Sequence, residues 1–355
     1  MTTAGRHVVF IHGLWLHASS WAPWTELFQT AGYTPVAPGW PGTSDTVEET
    51  RSHPDQVAGK GIDDVVEHYA QIIGGLDAPP IVIGHSFGGL IVQRLLGQDL
   101  AAAGVAIDAA PVKGVLYLPP SALRVASIAL RNPANRTRAV ALTQEQFRYG
   151  FGNALPAQES AELYQRWTVP SPARPLFEAA AANLSRQSPA KVNTGNKTRG
   201  PLLLIAGGHD HTVPAAITRS TRKLYHKSPA ITDLREFNDR GHSLTIDHGW
   251  REVADEVLTW LGQRGALVAG GARRAADRHG DPGARRGAVE VDQGIARAVG
   301  AVGVRVAVGG RGGVLAGLVG VHVDVVLVVG GEAPAKVAAM AVTTAGSGQP
   351  GTAPR

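Results

Sequence analysis

The chain has 355 residues and no cysteine, which excludes disulfides, thiolate nucleophiles and Cys-based metal sites, and leaves the redox compartment unreadable. It has no H-E-x-x-H helix, and no G-x-G-x-x-G following a strand-like run. A metalloprotease zinc site and a dinucleotide fingerprint are therefore missing. His and Asp meet in "GHDH" and in "DHG", but without metal-ligand spacing. No run of about 18 apolar residues occurs before residue 262. The nearest approach, "GVLAGLVGVHVDVVLVVGG", is interrupted by His322, Asp324 and repeated glycine. The opening "MTTAGRHVVFIHG" enters a strand-like run at once and lacks a charged-then-apolar leader. The expectation is a soluble, cytoplasmic protein with no stable membrane insertion, no metal and no cofactor.

Aromatic residues are also missing from one region. All 20 lie before Gly262, and the last 94 residues have none while holding 21 of the 44 glycines. Charge divides at the same point. Residues 1–261 carry 23 basic and 23 acidic side chains, and the tail carries 11 and 6, which supplies the whole formal charge of +5. Basicity is thus a property of the tail and gives no nucleic-acid footprint on the rest. The organisation expected is one domain over residues 1–262 and a Gly/Ala/Val/Arg-rich tail over residues 263–355. The tail reads as a low-complexity, disordered extension or as the product of a shifted reading frame in a GC-rich gene.

Within the first part, apolar strand-like runs alternate with amphipathic ones. "HVVFIHG", "YTPVAPGWPG", "PPIVIG", "VKGVLYLPP", "PLLLIAGG" and "AITDLREF" read as strands. "SWAPWTELFQTAG", "GIDDVVEHYAQIIGGL", "FGGLIVQRLLG" and "WREVADEVLTWLG" read as helices. Apolar strands alternating with helices predict a mostly parallel sheet covered on both faces, an α/β class. Between about residues 119 and 200 the pattern turns helical with proline breaks, and is expected to be a helical cap inserted between two strands.

"GHSFG" at Gly84–Gly88 matches the G-x-S-x-G elbow, preceded by "IVI" and followed by a helical pattern. Small residues on both sides of Ser86 suit a bend where strand and helix backbones nearly touch. Ser86 would be lifted clear of the sheet edge, at a helix N-terminus whose N–H groups favour negative charge. A hydroxyl needs a base and an orienting acid to act as a nucleophile. Asp210 follows the strand in "LLLIAGGHDHTVP", and His242 lies in "FNDRGHSL" between the last strand and the last helix. The order Ser86, Asp210, His242, each after its own strand, makes these the candidate catalytic residues.

His209 and His211 share the loop of the acid, His248 is expected inside or capping the last helix, and Asp239 shares the loop of the base. Asp108 is expected to precede its strand, "VKGVLYLPP", and to emerge at the opposite edge. "FIHGLW" supplies a loop whose Leu14 N–H, with the Phe87 N–H, is the candidate oxyanion hole. Trp15 and Trp40 follow strand ends and are candidates to line a substrate pocket, while Trp21 and Trp24 suit helix packing.

With "VVFIHGLW", "APGWPG", "IGHSFGGLIVQ", "LLLIAGGHDHTVP" and "GHSLTIDHGWREVADEVLTWL" in one order, residues 6–262 resemble the α/β-hydrolase superfamily. The resemblance implies a sheet of up to eight mostly parallel strands with an inserted helical cap, the chain opening at what looks like the third. It maps nucleophile, acid and base onto Ser86, Asp210 and His242, and the oxyanion loop onto Gly13–Trp15. Relatives that open epoxides or remove halide carry Asp where this chain has Ser86. Perhydrolase-like relatives often carry Met where it has Phe87. The activity implied is hydrolysis of a small hydrophobic carboxylic ester. The alternatives are a perhydrolase or lyase on the same scaffold, or a ligand-binding protein without turnover.

Overall fold

A computed structural model describes residues 6–265 of the chain. Its strands are β1 (His7–Ile11), β2 (Thr34–Val36), β3 (Ile81–His85), β4 (Ala103–Ile107), β5 (Ala139–Val140), β6 (Ser171–Pro172), β7 (Leu202–Gly207) and β8 (Thr232–Phe237). Six of them form one parallel sheet in the order β2-β1-β3-β4-β7-β8. Strand side chains alternate between two buried cores. Val9, Ile11, Val82, Leu202 and Leu204 face one, and Val8, Phe10, Ile83, Leu203 and Ile205 face the other. Burial on both sides explains why these strands read as continuous apolar runs.

The helix Phe87–Gly97 covers the first face with Leu90, Ile91 and Leu95. The helices Ala22–Thr30 and Trp250–Gln263 cover the second with Trp24, Phe28, Val257 and Trp260. Strand order reverses beside β1: the chain passes from β1 to its neighbour β2, then returns to the other side of β1 as β3. Loops leaving β1 and β3 therefore diverge to opposite faces. A crevice at the strand C-termini of such a switch point is where open α/β sheets take ligands.

The connection from β4 to β7 is mostly helical: Pro120–Leu130, Gln144–Gly150, Ala157–Trp167 and Arg174–Ala180, with β5 and β6 as a short antiparallel pair. It is fastened over the strand ends by main-chain bonds. The His17 N–H donates to Trp167 O at 3.0 Å, and the Val169 N–H donates to Trp15 O at 3.0 Å. Side chains add to this, with Asn153 Nδ2 donating to His209 O at 2.7 Å and Thr212 Oγ1 to Gly150 O at 2.7 Å. Among the described residues no helix is long and apolar enough to cross a membrane. The expectations for the tail lie outside the described residues beyond Gly265.

One strand is not where the sequence puts it. "VKGVLYLPP" is a loop, and the fourth strand is Ala103–Ile107. Alanine and glycine give "AGVAI" a weak β signal, yet small residues are what the site needs. A Cβ on Gly104 would lie 3.1 Å from both Leu96 and Val92 of the covering helix. Beyond Gly114, at φ +106°, and the buried Val115, bulky "LYL" turns outward, leaving Leu116 81 % and Tyr117 56 % exposed.

Candidate active site

Ser86 joins β3 to the helix Phe87–Gly97 in a backbone conformation with φ 56° and ψ −121°. That region is strained for any residue but glycine, and holds here because its surroundings dictate it. A Cβ on Gly84 would collide with the Gly88 backbone, so strand and helix could not approach as they do. The bend is pinned by the Ser86 N–H donating to Ile107 O at 2.9 Å and by the Ala110 N–H donating to Ser86 O at 3.0 Å. Across the crevice Gly13 packs on the serine: a Cβ there would be 2.7 Å from Ser86 Cβ.

Asp210 and His242 meet at the same edge. His242 Nδ1 lies 2.6 Å from Asp210 Oδ2, and both side chains are fully buried. Asp210 Oδ1 accepts the N–H groups of Thr212 at 2.6 Å and Val213 at 2.8 Å. The carboxylate is therefore oriented before it meets the ring. His242 is packed edge-on against Phe151, with centroids 4.7 Å apart, and its Nε2 is buried with no hydrogen-bond partner. His85, the residue before Ser86, donates from Nε2 to His242 O at 2.8 Å. This bond ties the loop of the imidazole to the bend that carries the serine.

Leu14 and Phe87, 2 % and 5 % exposed, flank this edge, and their N–H groups have no acceptor among the described residues. The Leu14 loop is held by His12, which donates from Nδ1 to Gly13 O at 2.8 Å and accepts the Trp40 N–H at Nε2. Burial pushes the His12 imidazole down to about 4 and keeps it neutral. Trp40 stacks on that ring and donates its indole N–H to His12 O at 3.0 Å. Trp15 sits under the cap with φ 65°, donates its N–H to Ser171 Oγ at 2.6 Å, and meets Phe151 edge-on at 6.3 Å.

The sequence model of the Alpha/beta hydrolase family matches residues 8–256. The chain belongs to that family. Its fold is similar to an extracellular alpha/beta-hydrolase from a Paenibacillus species, at 18% identity and TM-score 0.53, covering 72% of this chain and 98% of that one. It is similar too to Paleococcus ferrophilus monoacylglycerol lipase, at 21% identity and TM-score 0.52, covering 73% and 96%. A pyrethroid hydrolase from Sphingobium faniae JZ-2 follows at 17% and 0.51, covering 72% and 97%. No curated protein sequence matches this chain significantly.

Asp108 does not precede its strand but directly follows β4, so it emerges at the same edge as Ser86. It is fully buried, accepts the Gly207 N–H at 2.7 Å, and lies 4.0 Å from His242 Nδ1. Desolvation and the neighbouring Asp210 raise its carboxyl well above the usual range. Burial, then His242, pushes the His85 imidazole well below its ordinary value. The only sequence signal for Asp108 was its place after "GVAI", a strand too small-residued to recognise.

His85, Asp108 and His242 bring metal-ligating atoms within 4.8 Å of one another. His85 Nε2 donates to a carbonyl and His242 Nδ1 meets the Asp210 carboxylate, so both rings are engaged in hydrogen bonds within the protein.

Of the rival residues, Asp239 is solvent-exposed beside Arg240. His248 lies ahead of the last helix, its Nδ1 3.0 Å from Glu159 of the cap. A cavity of about 400 Å³ opens against the acid loop, lined by Tyr117, Asn153, His209, Asp210 and His211 among others. A larger one of about 490 Å³, between the helix Ala22–Thr30 and β2, touches none of the candidate catalytic residues. We give it no part in the chemistry.

Proposed function

We propose that this chain is a serine hydrolase that cleaves a carboxylic ester through an acyl-enzyme. The observation that carries the reading is the 2.6 Å contact between His242 Nδ1 and Asp210 Oδ2, buried at the strand edge where Ser86 occupies its strained bend. In the proposed reaction His242 Nε2 takes the Ser86 proton as Oγ attacks the ester carbonyl. Asp210 holds the ring with Nδ1 protonated and stabilises the imidazolium. The N–H groups of Leu14 and Phe87 receive the developing oxyanion, each contributing about 3 kcal/mol. His242 then protonates the leaving alcohol, and water releases the acyl group by the same route.

The substrate class proposed is a small hydrophobic ester. Trp15 and the cap aromatics Phe147 and Phe151 form a continuous apolar wall reaching His242. In this reading Trp15 borders the acyl group, and Trp40 acts from behind by holding His12 and the oxyanion loop. Structures similar in fold include a monoacylglycerol lipase and a pyrethroid hydrolase, in keeping with ester chemistry.

The test is labelling with a fluorophosphonate, followed by mapping of the adduct, and a panel of p-nitrophenyl esters from short to long acyl chain. A single adduct on Ser86 with turnover of short or medium esters is expected. No adduct on Ser86 and no turnover would reject the reading.

A further inference from the structure

Two buried carboxyl groups, not one, approach the same imidazole nitrogen. Asp210 Oδ2 lies 2.6 Å from His242 Nδ1, and Asp108 Oδ2 lies 4.0 Å from it. They come from different strand ends, β7 and β4, so their meeting is a product of the sheet order. Asp108 Oδ1 is satisfied by the Gly207 N–H, whereas Oδ2 is buried with no hydrogen-bond donor. An isolated buried carboxylate oxygen of this kind is costly.

We propose that Asp108 is a positioning residue for the catalytic base, held against Asp210 and poised to take over the His242 imidazole when Asp210 is lost. The proposal rests on the serine-hydrolase reading only for its effect on rate. The groups facing Asp108 are Asp210, His242, the neutral His85 and, farther off, Asp247. Burial and the charge of Asp210 raise the Asp108 carboxyl well above its ordinary range; in the proposed arrangement it is protonated and its O–H is the donor to the Asp210 carboxylate. Asp210 thereby gains a further donor beside Thr212 and Val213. Removing the Asp210 charge removes part of what keeps Asp108 neutral. Asp108 then ionises more readily and becomes the acceptor for His242 Nδ1.

Substitutions separate this from a merely structural role. Asp108→Asn keeps a neutral donor toward Asp210 and an acceptor for Gly207 but removes the second carboxyl group, and its kcat/KM is the reference for the double variant. Asp210→Asn should lose less than about a hundredfold, because Asp108 substitutes. Its kcat/KM should also show an acid limb shifted from that of wild type. The double variant has no carboxylate for the imidazole and should lose about 10⁴-fold. Asp210→Asn falling as far as the double variant would overturn the proposal.

A second measurement needs no turnover and decides the matter even if the chain hydrolyses no ester. In Ser86→Ala protein at about pH 8, far above the ordinary carboxyl range near 4, infrared spectra should contain a protonated-carboxyl carbonyl stretch that Asp108→Asn removes. Absence of that band from the Ser86→Ala protein itself, whether or not Asp108→Asn folds, would overturn it too.

Discussion

The strand-end edge and the cap above it place polar and apolar groups in opposite ways. At the edge Ser86, His85, Asp108, Asp210 and His242 are each no more than 4 % exposed, in the middle of the protein's apolar layers. On the cap and the loop leading to it, Leu116, Tyr117, Leu118, Leu123 and Leu184 are turned to solvent. Polar groups survive burial at the edge because main-chain donors and acceptors hold them: Thr212 and Val213 on Asp210, Gly207 on Asp108, the His242 carbonyl on His85. The chemistry is therefore built mostly on backbone positions, which side-chain drift in the cap does not reach. In the proposed reaction the apolar side chains above would set which ester enters.

This contrast breaks most sharply at the serine. Ser86→Ala should lower ester hydrolysis by at least 10⁴-fold while leaving the melting temperature unchanged or raised, since it removes only an attacking oxygen. Kinetics on purified protein with a calorimetric scan checks both halves. Gly84→Val attacks the scaffold instead: its side chain would meet the Gly88 backbone, and we expect a loss of about 3 kcal/mol or more with activity lost in parallel. Leu184→Ser, at an 89 % exposed cap position, should leave stability within about 0.5 kcal/mol in the same denaturation series.

Acid sharpens the comparison further. Unfolded His12 takes a proton below about 6.5, but the folded ring does so only below about 4. Between these values the unfolded chain binds more protons, so stability falls as pH drops through the window, by about 3 kcal/mol in full. Melting temperature against pH should show this fall, to which the buried His85 adds, and His12→Asn should make it shallower. Tyr117→Ser, at the rim of the cavity by the acid loop, should raise KM for longer acyl chains a few-fold and leave kcat unchanged. The smallest effect is expected from ending the chain after Gly265: kcat/KM should be unchanged, and loss of folded protein would show that the tail contributes.

Most of the sheet was readable because strands buried on both faces must be apolar throughout, and helices between them must be amphipathic. The bend at Ser86 was readable for a related reason: close backbones tolerate only glycine at Gly84 and Gly88, and that requirement leaves a local mark. The fourth strand was not. Its place between β3 and β7 under a close-packed helix selects small residues, and Ala103–Ile107 carries only a weak local β signal. Reading "VKGVLYLPP" as that strand puts Asp108 at the wrong edge of the sheet.

By itself the sequence determined the class of fold, the sharp turn, and the order in which serine, acid and imidazole follow their strands. Each is a local requirement on residue size or polarity. Only the tertiary structure decided that Asp108 and Asp210 converge on one ring, that His85 ties the imidazole loop to the serine bend, and that Trp40 stacks on His12. Those contacts join residues from 28 to 157 positions apart, and no local pattern records which strand ends will become neighbours.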